Sequence, residues 1–508
     1  MDMTTILAGL SDAFTFYNLL FIILGVTIGQ IVGAIPGLNI LMALAIAIPL
    51  TYSLDTLTAL AFLISVNKGG TVGGAVPAIL INTPGTPESA ATTFDGYPMA
   101  QKGQPMKAMK YSLYYSVFGD VSSDIVLITV SAPLAMVALK MGPVEILTLM
   151  ILAFTVITGL VGDSMIKGLI AAALGFLVAS IGIDPAMGTP RFTFGNLSLY
   201  DGIPLTAMAV GMLAVAEIFQ KIALQVKGAP AAATTPSRSD NPHDRNVTLS
   251  ELLANKYVAI RAFFIGTIIG AIPGLGSATA GFLSYSITKQ SARDPEAFGT
   301  GDPRGIAASE AANSAVVGAN LIPLLTLGIP GNIAAALLVS AFMIHGVQPG
   351  PLLFETQGRL IYGIFGAMLI ANLGNLLVGH FGLRFWARVV SAPSTVIYPA
   401  SLILCITGVY ISAGGVTGLI VMIGAAIMGY FMRIFDLSII AFIVAFVLAR
   451  QLESALLKTM LIFDGHFSDI LGHPIAMFLL VMSAISIVML GPKRGKKGGM
   501  NTPPTEKP

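Results

Sequence analysis

The residues best suited to chemistry in this sequence are neutral ones gathered around Pro-Gly pairs. Pro84 and Gly85 lie in "INTPGTPES" among Asn82, Thr83 and Thr86, and Pro330 and Gly331 lie in "LGIPGN" ahead of Asn332. Pro36 and Gly37 follow Gly33 in "GAIPGLN" and precede Asn39; Pro273 and Gly274 follow Gly270 in "GAIPGLGSAT" and precede Ser277 and Thr279. Proline removes a backbone donor and glycine tolerates unusual φ, so each pair interrupts a helix. A half-helix starting after such a break offers free N–H groups and a positive dipole end, where a carboxylate docks. The half ending before it leaves carbonyls that suit Na⁺ or a protonated water. The Asn, Thr and Ser side chains bind a cation or a carboxylate without the cost of a buried charge. The expected chemistry is reversible ion binding.

The candidate substrate contacts are therefore Asn39, Lys68, Asn82, Thr83, Pro84, Gly85, Thr86, Ser277, Thr279, Pro330, Gly331 and Asn332. Gly33, Pro36, Gly37, Gly270, Pro273, Gly274, Asn67 and Asn313 are the candidate helix-break and cation positions, with Na⁺ at the breaks and its ligands unspecified. Lys68, in "SVNKGG", is an ionisable group between apolar stretches and a functional candidate on that ground; contact with substrate and snorkelling to a headgroup both stay open for it. Glu88 and Asp95 are less suited to an anion and either cap helix starts or bind the coupling cation.

Enzyme signatures are weak. "GTGD", Gly299 to Asp302, matches the GxGD pattern of intramembrane aspartyl proteases, but it lies in the hydrophilic, proline-broken "SARDPEAFGTGDPRG" and reads as a surface loop. No HExxH and no P-loop lysine motif occur, and His345, His380, His466 and His473 lack metal-ligand spacing. No catalytic residue and no cofactor is expected beyond a coupling Na⁺ or H⁺. An ion channel, and less so an intramembrane enzyme, are the alternatives; a channel needs a continuous pore.

The elements that position these residues are membrane helices. The chain has 508 residues, is 55% hydrophobic and only 10% charged. Runs such as "FYNLLFIILGVTIGQIVGAI" and "IAMFLLVMSAISIVML" approach the roughly 20 residues that cross a hydrocarbon core. They recur often enough for about 10 to 13 transmembrane helices. The runs are continuously apolar, which excludes a β-barrel. An all-α polytopic membrane protein follows. The formal charge of +2 and scarce basic residues exclude a nucleic-acid surface. Cys405 is a small hydrophobe in an apolar run, and one cysteine makes no intrachain disulfide. The N-terminus lacks a basic signal start, so the first helix is expected to be retained.

"GQIVGAIPGL" from Gly29 and "GTIIGAIPGL" from Gly266 are identical at eight of ten positions. A weaker match follows in the same order and sets Asn67 on Asn313, Pro77 on Pro323, and Pro84-Gly85 on Pro330-Gly331. Two ordered matches predict duplication. Basic residues favour the cytoplasmic side, and they flip between the copies. None precedes the first GAIPGL, whereas Lys256 and Arg261 precede the second. Lys102, Lys107 and Lys110 follow the first Pro-Gly motif, whereas none follows the second until Arg359. "TYSLD" in the first half corresponds to "KQSARDPEAFGTGDPRG" in the second. The expectation is two inverted repeats with discontinuous, re-entrant helices, a plan of secondary transporters. Residues 1–225 form the first transmembrane repeat, 226–256 a hydrophilic cytoplasmic linker, 257–491 the second repeat, and 492–508 a disordered basic tail.

With these motifs assembled, the chain resembles the TctA family, the large membrane subunit of the tripartite tricarboxylate transporters. "GAIPGLN", "INTPGTPESAATTFDGYPMAQKGQP", "GAIPGLGSATAGFLSY" and "LTLGIPGNIAAALL" carry the likeness, which covers all but the linker and tail. The family's blocks fall on Gly33 to Asn39, Asn82 to Ser89, Gly270 to Ser277 and Gly328 to Asn332. The resemblance implies a multi-pass permease of the bacterial inner membrane that imports a carboxylate on a Na⁺ or H⁺ gradient. It implies two partners, a small TctB-type membrane subunit and a periplasmic TctC-type solute-binding protein. Asn82-Thr83 aligns with Gly328-Ile329, so a site shared between the halves should be lopsided.

Overall fold

A computed structural model describes residues 3–35, 38, 40–160, 165–184, 188–226, 246–273, 276–390, 394–464 and 466–490. Pro36, Gly37, Asn39, Gly274, most of the linker and the tail lie outside the described residues. The first half runs through helices α1 (Met3–Ala13), α2 (Phe16–Ala34), α3 (Ile40–Leu50), α4 (Thr56–Ile81), α5 (Thr93–Gln101), α6 (Pro105–Ala138), α7 (Pro143–Leu160) and α8 (Met165–Ala179). It continues through a two-residue hairpin pairing Gly182 with Arg191, then α9 (Leu205–Ala209), a π-turn (Val210–Val215) and α10 (Ala216–Val226). The second half comprises α11 (Leu249–Ala254), α12 (Lys256–Ala271), α13 (Gly276–Ser291), α14 (Pro303–Ala319), α15 (Leu321–Leu327), α16 (Ile333–Ile344) and α17 (Leu352–Thr356). It ends with α18 (Gly358–Val389), α19 (Ser394–Ser412), α20 (Val416–Ile434), α21 (Ile439–Ile462) and α22 (Pro474–Leu490).

Among the described residues, six helices are long and apolar enough to cross a membrane: α2, α4, α6, α18, α20 and α21. Seven shorter apolar helices join them, including those that start at Ile40 and Ile333. Phe381, Ile403, Ile420 and Phe478 are 79%, 64%, 66% and 63% exposed, which suits a lipid-facing rim. The apolar window of α4 is instead buried throughout, as expected of a helix apolar on every side and enclosed by others.

Missing side chains set the closest packing. Gly25, Gly29 and Gly33 recur every fourth residue on α2; a Cβ on them would come within 2.5, 2.3 and 2.4 Å of the carbonyl oxygens of Phe62, Val66 and Gly70 on α4. Small residues at this spacing let two membrane helices touch backbone to backbone. The second copy repeats the arrangement: a Cβ on Gly266 of α12 would lie 2.2 Å from Ala312 O on α14. Contacts also cross between halves. α18 packs on α1, α2 and α4, while α6 packs on α12 and α14. At the helix starts, Arg359 of α18 pairs with Asp12 at 2.6 Å and Lys107 of α6 pairs with Glu251 at 2.5 Å. Burial pushes the Glu251 carboxyl up, but bonds from Lys107 and Thr248 outweigh it and hold the group at about 2.

Gly29→Leu is expected to lower the melting temperature of the detergent-solubilised protein, a cost of about 1–3 kcal/mol or more for overpacking. Gly424→Ala, which meets open space, should leave the melting temperature in place; equal melting of both variants would show that the α2–α4 contact is not tight.

Candidate functional site

Both GAIPGL copies stop a helix at the same point and in the same way. α2 ends at Ala34 and α12 at Ala271; Ile35 (φ −90°, ψ 115°) and Ile272 (φ −94°, ψ 116°) turn extended ahead of proline. Their N–H groups donate to Val32 O and Ile269 O. Gly270 is buried against Val316 and Ala319, Pro273 is half-buried, Ser277 is buried at the start of α13, and Thr279 is exposed.

The Pro84-Gly85 and Pro330-Gly331 segments match as closely. α4 ends on Asn82 and α15 on Gly328, both left-handed (φ 55° and 74°). The next residues, Thr83 and Ile329, donate their N–H groups to the carbonyls of Pro77 and Pro323, at 3.4 and 3.2 Å. This is a Schellman-like helix end, and asparagine is the residue after glycine that tolerates it. Gly85 then seats against the end of α2: its N–H donates to Gly74 O, and a Cβ there would be 2.0 Å from Gly33 O. Thr86 is buried, whereas Asn82 and Thr83 are exposed. Gly331 seats against Asn320, and Asn332 caps α16 by accepting from Ala335 N at 2.8 Å. The segment after the first break, Pro87–Thr92, packs on α13; the helix after the second, α16, packs on α3. Each Pro-Gly segment thus meets the helix that follows the other half's IPGL.

Lys68 stands apart from these breaks. It is fully buried in α4, and its Nζ donates to Asp120 Oδ1 at 2.7 Å, Asp124 Oδ2 at 2.8 Å and Asn372 Oδ1 at 3.1 Å. Asn372 Nδ2 returns a bond to Asp124 Oδ2 at 2.7 Å. The ammonium therefore neither snorkels nor stands free for a substrate in this conformation. Asn67 and Asn313 are buried, and neither amide atom of Asn313 or of Asn320 has a partner.

Asp120, Asp124 and Glu310 escaped the sequence reading, and Asp95, read as a cap or a cation ligand, instead binds the GTGD loop. Asp120 and Asp124, four apart in the apolar run of α6, share one helix face and were legible as an intramembrane pair. Glu310 of α14 is fully buried and accepts from Thr92 and, at 2.7 Å, from Ser116. Asp95 Oδ1 accepts the N–H groups of Gly299, Gly301 and Asp302 at 2.8–2.9 Å, and its Oδ2 accepts from Tyr285. The GTGD loop is thus a backbone nest for a carboxylate of the other half. Asp302 itself caps α14 through Arg304 N and pairs with Arg304. Among the described residues, no group of three or more His, Cys, Asp or Glu could hold a metal ion.

A cavity of about 1120 Å³ opens between the halves, lined by Leu327 and Ile329 of the second break and by Gln348, Arg450, Gln451 and Lys458. The Gln451 amide lies 3.6 Å from where a Cβ on Gly328 would be. Arg450 Nη2 donates to Asp201 O at 2.9 Å. The cavity brings two cations, Arg450 and Lys458, together with Asp201 and the carbonyl-bearing C-terminal end of α15. The attraction for an anion therefore comes from the two cations and not from the helix end.

An all-helical, polytopic membrane architecture with polar groups collected inside is the build of a membrane transporter. The profile of the Tripartite tricarboxylate transporter TctA family matches residues 19–444, and the chain belongs to that family. It is 32% identical over 501 residues to an "Uncharacterized 52.8 kDa protein in TAR-I ttuC' 3'region" of Agrobacterium vitis, covering 96% of each chain. It is also 32% identical over 224 residues to an "Uncharacterized protein in TAR-II ttuC' 3'region" of the same organism, covering 44% of this chain and 93% of that one. No solved structure matches.

Lys68→Met should destabilise the solubilised protein by about 3–5 kcal/mol, because it strands two buried carboxylates. Adding Asp120→Asn and Asp124→Asn should recover most of the lost melting temperature. A single Lys68→Met variant that melts like the parent would contradict the buried ion cluster.

Proposed function

We propose that this chain is the large permease subunit of a binding-protein-dependent secondary transporter that imports a small carboxylate, of tricarboxylate or dicarboxylate type. The membrane is the bacterial inner membrane, and a Na⁺ or H⁺ gradient drives uptake. The partners are a small TctB-type membrane subunit and a periplasmic TctC-type solute-binding protein, in keeping with the family's tripartite plan.

The observation that carries this reading is the cavity in which Arg450 and Lys458 face the chain at Leu327 and Ile329. A carboxylate there meets two exposed cations at a partly open cavity, and their N–H groups offer it charge-assisted hydrogen bonds. Matching helix ends at Asn82 and Gly328, and reciprocal packing of each break on the opposite half, support two inverted repeats with discontinuous helices. In that topology α6 starts on the cytoplasmic side near Lys102 and Lys107. Its far end at Ala138, which lines the cavity, then faces the periplasm, where a binding protein delivers its cargo. The site is lopsided, as the unequal pairs Asn82-Thr83 and Gly328-Ile329 require.

Uptake of labelled carboxylates by cells carrying all three components tests the reading. Arg450→Gln and Lys458→Gln should each cut uptake roughly tenfold, about 1.4 kcal/mol, while Lys140→Gln, outside the cavity lining, should not. Saturable uptake with counterflow is expected of a carrier; non-saturating flux would favour a channel.

The break residues need variants that spare the backbone. Asn82→Gly keeps the left-handed helix end and Asn332→Ser keeps the cap, so each removes the amide alone. Reduced uptake with unchanged membrane insertion is expected of both, and normal uptake by both would remove these side chains from the site.

A further inference from the structure

We propose that Asp124 carries the coupling proton, loaded as one proton per cycle on the oxygen facing α14; this rests on the transporter reading above. The argument begins with a charge count. One ammonium, Lys68, faces two carboxylates, Asp120 and Asp124, and all three side chains are 3% exposed or less. If all are ionised, one negative charge stays uncompensated among α4, α6 and α18, where its desolvation costs several kcal/mol. A further cation is needed.

Its seat is legible from the hydrogen bonds. Asp120 Oδ1 and Asp124 Oδ2 are taken up by Lys68 and Asn372. Asp124 Oδ1 is buried and has no partner. Such an atom is rare in a folded interior and calls for a role. A proton added there breaks no existing bond and leaves the cluster neutral. The carboxylate gains one H⁺ from water and nothing else is consumed.

Space selects the proton over sodium. A Cβ on Gly318 of α14 would stand 2.4 Å from Asp124 Oδ1, so the oxygen is pressed against the neighbouring backbone. A sodium ion would need a shell of several oxygens, whereas a proton is the cation that asks least space beside that backbone. Charged groups around Asp124 are few: Lys68 from α4 and Asp120 from its own helix. α18 presents the neutral Asn372, and its His380, eight residues on, is engaged by Tyr114. α15 has no charged residue. On α14 the only carboxylate is Glu310, eight residues and about 12 Å along the helix from Gly318.

Infrared difference spectra of the purified, solubilised protein across a pH titration test this without any transport. Wild type should show a protonated-carboxyl C=O band that vanishes as pH rises. Asp124→Asn should lose that band. Asp120→Asn, which leaves Lys68 balanced by one carboxylate, should lose it too and guards against misfolding of the first variant. Glu310→Gln should keep it. A band that survives in Asp124→Asn, its absence from wild type, or its displacement by sodium against choline at fixed pH would overturn the proposal. If the band behaves as expected and no carboxylate uptake is found, the transport reading fails instead.

Discussion

The first break is held by a contact between main chains. Gly85 lies where a Cβ would be 2.0 Å from the carbonyl of Gly33, and that approach exists because α2 and α4 already touch through Gly29, Gly33 and Gly70. Inside a membrane, chain that leaves its helix must find partners for its polar groups or be buried in protein. The glycine seam meets this demand by bringing the end of α2 and the turn after α4 into one place. Gly85 N–H then finds Gly74 O, and Thr83 N–H finds Pro77 O. Widen the seam by one methyl group and the break loses its floor.

A second constraint acts on charge. Lys68, Asp120, Asp124 and Glu310 are all buried among helices that are otherwise apolar. Each is held by groups from another element: Lys68 by α6 and α18, Glu310 by Thr92 and Ser116. These bonds tie the two halves of the chain to each other, since α6 belongs to the first half and α14 and α18 to the second. Asp95 does the same outside the apolar helices, gripping the backbone of the second half's glycine loop. Cohesion between the halves therefore draws on buried polar contacts as well as on apolar packing.

Much of this was legible in the residues. Proline acts on its own neighbour, so the stops at Ile35 and Ile272 could be read from "AIPG" alone. The repeat set Asn82 against Gly328 and was read there as a difference in ligands; that both are left-handed helix ends was not read. The role of Lys68 was not legible. Asp120 and Asp124 stand some fifty residues from it, and hydropathy gives no sign of which helix faces which. Arg450 and Lys458 were likewise hidden, because nothing near them in the sequence says that they line a cavity.

By itself, the sequence determined what is local: apolar lengths that demand a membrane, proline-glycine pairs that end helices, and a repeated order of motifs that marks the family. These follow from covalent geometry and from the cost of exposing backbone to lipid, which act over a few residues at a time. Only the tertiary structure decided which polar groups meet. Whether a buried lysine is neutralised or free, and whether a helix end opens on a cavity or on another backbone, depends on distances between elements remote in the chain. Those distances are set by the shape of whole packed faces, and no short stretch of residues contains them.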